Sequence, residues 1–147
     1  MDTKAKADSL HSELVKEIEH YHRLARWAYR FAVLLMILTL SASAAAGLGG
    51  IFFEWKSPTV GAVALLPGVL SLVATVLKPQ GRANWHYRKK ASLESLRRKL
   101  MYELAEPPLE EDIRMLSEAW SNLDLKMDQD WEKNFALNWS PFAKHPK

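Results

Sequence analysis

The chain contains two uncharged apolar stretches, FAVLLMILTLSASAAAGLGGIFF (Phe31–Phe53) and SPTVGAVALLPGVLSLVATVL (Ser57–Leu77). Each has the length, about 20 residues, that an α-helix needs to cross a hydrocarbon core about 30 Å thick. Because backbone N–H and C=O groups find no water in lipid, each stretch is expected to be helical. The loop Glu54–Ser57 is so short that the two helices must be antiparallel neighbours. The sequence therefore predicts a transmembrane hairpin with spans 31–53 and 57–77.

A cleaved signal peptide is the main alternative for the first stretch. Phe31–Leu40 is apolar, and Ala42-Ser43-Ala44 resembles a cleavage site. However, the preceding segment is too long and too acidic for a usual basic leader, and a second apolar stretch follows at once. These features favour a retained span.

Basic residues on both flanks predict the orientation of the hairpin. Lys and Arg are retained on the cytoplasmic side of a membrane, and the loop between the spans contains only Lys56, beside Glu54. Both termini are therefore expected in the cytoplasm, with tryptophans at the membrane–water interfaces. The residues predicted at these interfaces are Arg23, Arg26, Trp27, Arg30, Trp55, Lys78 and Arg82.

The polar segments predict further helices outside the membrane. Before the hairpin, apolar residues recur at steps of three and four from Leu10 to Ala28, which indicates an amphipathic helix that begins near Asp8 or Ser9. After it, Lys78–Gly81 is a breaker. The acidic part of the chain, Glu103–Glu132, is expected to lie away from the headgroups. The predicted segments are the N-terminal helix (1–30), the hairpin (31–77), two cytoplasmic helices (78–127, with helices at about 82–105 and 109–127) and an aromatic tail (128–147).

The predicted fold class is an all-α membrane protein, a two-transmembrane-helix hairpin extended by cytoplasmic amphipathic helices. Two spans are too few to enclose a pathway, so any conduction requires several copies. The apolar faces of the cytoplasmic helices offer contacts between copies, which predicts a homo-oligomeric helical bundle.

Each span carries one stripe of small or weakly polar residues. Small residues let helix backbones approach closely in lipid, so the stripes predict either packing inside the hairpin or packing between copies, with the hydroxyl groups partly lining a narrow pore. Pro67 and Gly68 offer a kink at which such a pore opens. The stripes are Ala32, Met36, Thr39, Ser43, Ala46 and Gly50 in the first span, and Gly61, Ala64, Gly68, Ser71 and Thr75 in the second.

The sequence contains no arrangement of residues that is typical of an enzyme active site. The five histidines have no metal-ligand spacing, there is no Gly-rich phosphate loop or HExxH motif, and the absence of cysteine excludes thiolate chemistry. Neither span holds a charge, which argues against a proton relay. We therefore expect no catalytic residue, no cofactor, no metal and no nucleic-acid partner. An adaptor remains the alternative, with recognition anchors in the acidic, aromatic C-terminal region: Trp120, Trp131, Phe135 and Trp139.

The organisation of residues 10–105 resembles the SLATT family, two-transmembrane effectors associated with SMODS nucleotidyltransferases and SLOG nucleotide-sensing domains in bacterial defence islands. The resemblance is carried by Trp85-His-Tyr87-Arg88, followed by the leucine-rich stretches Ser92–Leu96 and Leu100–Leu104. Trp85, Tyr87 and Arg88 match that family's post-membrane motif.

The resemblance implies a toxic effector of antiphage immunity in the bacterial inner membrane. In such proteins a nucleotide second messenger, or a separate protein that senses or makes one, triggers oligomerisation or opening. The membrane then leaks, and the infected cell dies or stops growing. Membrane lipid and further copies of the chain are the other implied partners.

Overall fold

A computed structural model describes residues 3–52, 56–105 and 108–136 of the chain. The predicted all-α class is confirmed, since the residues in these ranges form helices and no strand. The helices are α1 (Thr3–Phe52), α2 (Ser57–Leu77), α3 (Pro79–Tyr102) and α4 (Glu110–Phe135).

Helix α1 joins the predicted N-terminal helix and the first apolar stretch in a single rod of 50 residues. It begins at Thr3, before the expected cap at Asp8 or Ser9, and no proline or glycine interrupts it before Gly47. At a rise of about 1.5 Å per residue, such a helix is about 75 Å long. One half of α1 is therefore polar and the other half apolar without a joint between them.

Helix α2 covers the second apolar stretch and is separated from α3 by a single residue. Pro58 lies in the first turn of α2, as the sequence predicts. Lys78 has left-handed backbone angles, φ 44° and ψ 50°. Its N–H donates to the Ala74 carbonyl (3.0 Å), and its own carbonyl accepts from the N–H of Arg82 (3.0 Å). The break predicted at Lys78–Gly81 is thus limited to Lys78. Helix α3 starts at Pro79 and ends at Tyr102, whereas the sequence predicted a helix over about 82–105.

Two helical stretches, Thr3–Gly49 and Pro58–Tyr102, contain segments long and apolar enough to cross a membrane. Almost none of the residues in these apolar segments is buried. The core helix of a soluble protein buries its apolar residues, whereas these helices leave them exposed, Leu65, Leu72 and Ile51 among them. We call the apolar half of α1 together with α2 the hairpin.

The remaining part is a three-helix bundle made of the first half of α1, α3 and α4. Leu14 and Leu93 are completely buried at its centre. Because Lys4 and His11 lie near Leu100 and Leu104, and Tyr21 lies near Trp85, α1 and α3 run antiparallel. The residues that form or border the core are Leu10, Leu14, Ile18, Tyr21, Leu93, Leu96, Leu100, Leu116, Trp120 and Leu123.

Helix α4 returns along the bundle to the break between α2 and α3. Its acidic first turn is capped, because the Leu109 N–H donates to Asp112 Oδ2 (3.4 Å), and Lys6 pairs with Glu110 at the end of the bundle far from the hairpin. Its last turn places Phe135 against Gly81. The predicted acidic helix is therefore longer than 109–127. The expectation that the whole acidic segment lies away from the hairpin is wrong for its C-terminal end.

Candidate functional site

The predicted stripe of small residues on α2 lies on the outside of the hairpin. All five members, from Gly61 to Thr75, are exposed. The side of α2 turned towards α1, the main element that packs against it, is a neighbouring face. The half-buried residues of that face are Val60, Val63, Pro67, Leu70, Val73, Ala74 and Leu77.

The two glycines of this α2 stripe have free space around them. Beyond the adjoining turns of α2 itself, a Cβ atom added at Gly61 or at Gly68 would have no atom of the described residues within 4 Å. The hairpin does not need a glycine at either position to bring its own helices together. Small residues in lipid-exposed helices are typical of contacts with further helices. This stripe is therefore a surface of small side chains that α1 leaves uncovered.

The stripe on α1 is divided between two surfaces. Ala32, Thr39 and Ala46 are half-buried on the face that also holds buried Leu35, and this face is turned towards α2. Met36 and Ser43 are exposed. Gly50 lies in α1, but its surroundings are outside the described part of the chain. Packing inside the hairpin thus accounts for only part of the α1 stripe.

Three hydroxyl groups of the stripes donate to their own helices. Thr39 Oγ1, Ser43 Oγ and Thr75 Oγ1 donate to carbonyl oxygens four residues earlier, at 2.8, 2.9 and 2.8 Å. Because these donors already have acceptors, the hydroxyl groups can face lipid or a neighbouring helix without an unpaired donor. Their predicted place along a pore stays a prediction.

Pro67 lies in the middle of α2, and the helix continues through it. Its ring is half-buried on the face towards α1, while Gly68 is exposed. Proline has no N–H, so the Val63 carbonyl loses the hydrogen bond that position 67 would otherwise donate. The ladder of α2 is therefore weakest beside the exposed stripe, and the role of Pro67 and Gly68 in opening stays a prediction.

The cations predicted at the interface surround the join between hairpin and bundle. Among residues 3–52, 56–105 and 108–136, none of Arg23, Arg26, Arg30, Lys78 and Arg82 forms an ion pair with a carboxylate. Trp27 is 66% exposed, and Trp55 lies outside the described residues. The Arg82 guanidinium instead lies over the Trp131 ring, 5.4 Å from its centroid.

A cluster of aromatic rings, which we call the junction cluster, lies where α3 and α4 meet next to the hairpin. Trp85 is buried, and its indole N–H donates to the Met127 carbonyl (3.1 Å). Its ring contacts Trp131 with centroids 4.8 Å apart, and the Trp131 ring contacts Phe135 at 4.9 Å. The last two turns of α4 are thus attached to α3 by edge-on and tilted contacts of the Trp131 ring with Trp85 and His86. The junction cluster comprises Tyr21, Trp85, His86, Lys89, Trp131 and Phe135.

Lys89 is a buried cation at the centre of the junction cluster. Its side chain is 5% exposed, and its Nζ lies 3.0 Å from Asp124 Oδ1 and 3.9 Å from Asp128 Oδ1. The ammonium group also lies over the Tyr21 ring, 4.5 Å from the centroid. Burial by itself lowers the pKa of Lys89, but the interactions with Tyr21 and Asp124 outweigh it, so the pKa is raised. Lys89 is therefore charged in the folded protein.

His86 is held neutral beside this cation. Burial, followed by the positive fields of His20, Lys89 and Arg82, lowers the pKa of His86 to about 4. Its ring stacks on Tyr21 (centroids 5.8 Å apart), and its buried Nδ1 has no hydrogen-bond partner among the described residues. A proton on this ring would add a second positive charge to an already cationic cluster.

The residues of the family-like motif separate in the structure. Trp85 belongs to the junction cluster, whereas Tyr87 and Arg88 are exposed, with the Tyr87 ring 6.4 Å from that of His22. Sequence reasoning missed Lys89 and His86 as members of the cluster. His86 lies one residue and Lys89 four residues after Trp85, and this spacing was the available signal. The acidic partners of Lys89, however, lie far along the chain.

The predicted docking aromatics are largely engaged within the chain. Trp131 and Phe135 belong to the junction cluster, and Trp120 is partly buried against the bundle core. Trp139 lies outside the described residues. Three of the four proposed recognition anchors are therefore not free surface side chains.

Within the described ranges, no group of three His, Asp or Glu side chains is placed to hold a metal ion. These observations define the class of the chain: a helical protein with a polar three-helix bundle and an exposed apolar hairpin long enough to cross a membrane. No family model, no curated protein and no solved structure matches the chain.

Proposed function

We propose that the chain is a membrane effector whose copies associate through the exposed α2 stripe and make the membrane leak. The single observation that carries this proposal is the position of that stripe. Gly61, Ala64 and Gly68 are exposed, and the hairpin contact is made by other residues. A surface suited to close helix packing is thus left without a partner in one copy.

The proposed topology places both termini in the cytoplasm and the hairpin in the bacterial inner membrane. The unpaired cations at the join between hairpin and bundle support this orientation, since Lys and Arg are retained on the cytoplasmic side. The bundle then lies against the inner leaflet and is the part accessible to a signal. By its resemblance to SLATT effectors, we propose antiphage defence as the context and a nucleotide signal, or a protein that senses or makes one, as the trigger.

The proposal has a matched pair of test variants on α2. Ala64 belongs to the stripe, and Ala62 does not; both are exposed, and they differ by about 160° around the helix. Ala64→Leu overpacks a contact between copies, which costs about 1–3 kcal/mol, a factor of about five to 150 in association. Ala62→Leu adds the same side chain at nearly the same depth without touching that contact.

The measurements are dye uptake by expressing cells and the mass of the complex in detergent. We expect the unchanged chain and Ala62→Leu to be oligomeric and to leak, and Ala64→Leu and Gly68→Leu to lose both properties while still inserting. Equal leakage in the Ala62 and Ala64 variants would contradict the proposed surface. A monomer in detergent together with full leakage would contradict assembly as the cause.

A further inference from the structure

A groove of about 610 Å³ runs between α1 and α2 beside their join to the bundle. Its walls are apolar or small, with Ala32, Met36 and Leu40 on α1 and Ala74 on α2. The groove is open along its side. Because the hairpin is long and apolar enough to cross a membrane, the medium that faces this opening is lipid.

The groove has the depth of one leaflet. Along α1 it extends from Tyr29 to Leu40, 11 residues apart, which at about 1.5 Å per residue is about 16 Å. Half of a hydrocarbon core about 30 Å thick is about 15 Å. An acyl chain that enters beside Tyr29 therefore ends near the bilayer centre when it reaches Leu40.

The mouth of the groove is positively charged. Lys78 lines it, and its Nζ donates to the Asn134 carbonyl (3.2 Å), which leaves two of its three N–H donors without an acceptor among the described residues. No carboxylate of the described residues pairs with it. Gln80 and Gly81, in the first turn of α3, also line the mouth. N–H groups in a first turn have no acceptor inside their own helix, and such groups favour anions.

We propose that this groove binds one anionic phospholipid of the inner leaflet, with an acyl chain between α1 and α2 and the headgroup phosphate at Lys78. The combination of a leaflet-deep apolar groove and an unpaired cation at its mouth selects this ligand. A zwitterionic lipid fills the groove equally well, but its own cation opposes Lys78. This inference rests on the proposed membrane topology and not on assembly of the chain, although Ser71 belongs both to the groove wall and to the α2 stripe.

The test is native mass spectrometry of the full chain in detergent with phosphatidylglycerol or phosphatidylcholine added. We expect one retained phosphatidylglycerol per chain and little retained phosphatidylcholine. Lys78→Gln should weaken retention of phosphatidylglycerol about fivefold, the contribution of one interfacial lysine. Lys56→Gln removes the same charge from the opposite end of α2 and should leave retention unchanged.

A second matched pair tests the groove itself. Leu40 lines the groove, whereas Leu38 does not, and both are exposed. Leu40→Trp should lower retention of phosphatidylglycerol, and Leu38→Trp should not. Equal retention of the two lipids, equal effects of the two lysine variants, or equal effects of the two tryptophan variants would each overturn the proposal. A dimer that retains no lipid would show instead that a second copy fills the groove.

Discussion

For the ion pair between Lys89 and Asp124, we predict that removal of the acidic partner destabilises the bundle more than removal of the basic one. Asp124→Asn removes the negative partner, and Lys89→Met removes the positive one. The two partners differ in burial, since the Lys89 side chain is 5% exposed and that of Asp124 is 42% exposed. Removal of Asp124 therefore leaves a buried charge, whereas removal of Lys89 leaves a carboxylate that water can reach.

The size of the effect follows from the 3.0 Å separation of Lys89 Nζ and Asp124 Oδ1. Coulomb's law at this distance yields about 5.5 kcal/mol for an effective dielectric constant of 20 and about 1.4 kcal/mol for that of water. The half-exposed carboxylate lies between these limits, and Asp128 at 3.9 Å supplies part of the lost field. We expect Asp124→Asn to lower the free energy of unfolding by about 1.5–3 kcal/mol.

Lys89→Met should be the milder change. Methionine keeps most of the apolar stem between the Tyr21 and Trp85 rings, and the two carboxylates remain hydrated. Replacement of a buried charge by an apolar side chain of similar shape is often close to neutral, so we expect a loss of about 0–1 kcal/mol. The double variant should then be more stable than Asp124→Asn alone, because the stranded charge is gone.

The assay is chemical unfolding of the bundle in detergent, followed by near-ultraviolet circular dichroism of the tryptophans. The pKa of Lys89 is raised from its ordinary value of 10.5, so its charge contributes fully below that pH and the contribution is lost as the pH rises beyond it. The difference between the unchanged chain and Lys89→Met should be constant from about pH 7 to 9. Greater loss from Lys89→Met than from Asp124→Asn, or strictly additive losses in the double variant, would refute the reasoning.

Two further predictions concern the junction cluster. The pKa of His86 is lowered from 6.5 to about 4, so between these pH values the unfolded chain binds a proton that the folded chain excludes. The free energy of unfolding should therefore fall by about 1–2 kcal/mol as the pH drops from 6.5 to about 4, once partial exposure of the ring is allowed for. Thermal unfolding at several pH values should show a flatter profile for His86→Gln, and an equally steep one would reject the assignment. A Cβ at Gly81 would lie 3.0 Å from Phe135 Cε1. Gly81→Ala should therefore raise the free energy of unfolding by about 0.5–1 kcal/mol when Phe135 has been replaced by alanine, and by less in the unchanged chain, where the two side chains crowd each other. The same gain in both backgrounds, measured by chemical unfolding, would contradict the close approach of α4.

The features that the sequence predicts well are those set by local patterns. The charge-free stretch Ser57–Leu77 is bounded by Lys56 and by Lys78-Pro79, and α2 has these bounds. The apolar steps at Leu14 and Ile18 mark a face that is buried in the bundle. Neither inference requires knowledge of what lies across the contact.

The return of α4 depends on contacts between distant residues, which one sequence does not reveal. Trp131 and Phe135 have helical spacing, but nearby prolines in the tail favoured an irregular end. What extends the helix is the surface it meets, the Trp85 ring and the bare Gly81 backbone. Trp85 lies 46 residues before Trp131, and Gly81 lies 54 residues before Phe135.

The choice of face in the hairpin follows from complementarity of size. The α1 face that meets α2 holds Leu35 but is otherwise small at Ala32, Thr39 and Ala46, and the α2 face that meets α1 carries larger side chains at Val63 and Leu70. Large side chains against small ones let two helices approach without voids. The sequence shows two small stripes, but it does not show that part of the α1 stripe, and none of the α2 stripe around Gly61, Ala64 and Gly68, packs inside the hairpin.

This packing leaves the small stripe of α2 without a contact inside the hairpin, and we therefore expect copies of the chain to associate through it. If α1 supplies the small surface and α2 the large one, the small stripe of α2 around Gly68 meets no large side chains in its own chain. In lipid, acyl chains fill the space beside it only at the cost of ordering them, whereas a helix is already rigid. We propose that a neighbouring α1, with exposed Ile37 and Leu48, provides the missing large surface. Leucine at Ala64 converts the small stripe into a large one, so it should separate copies while leaving the hairpin of each copy intact.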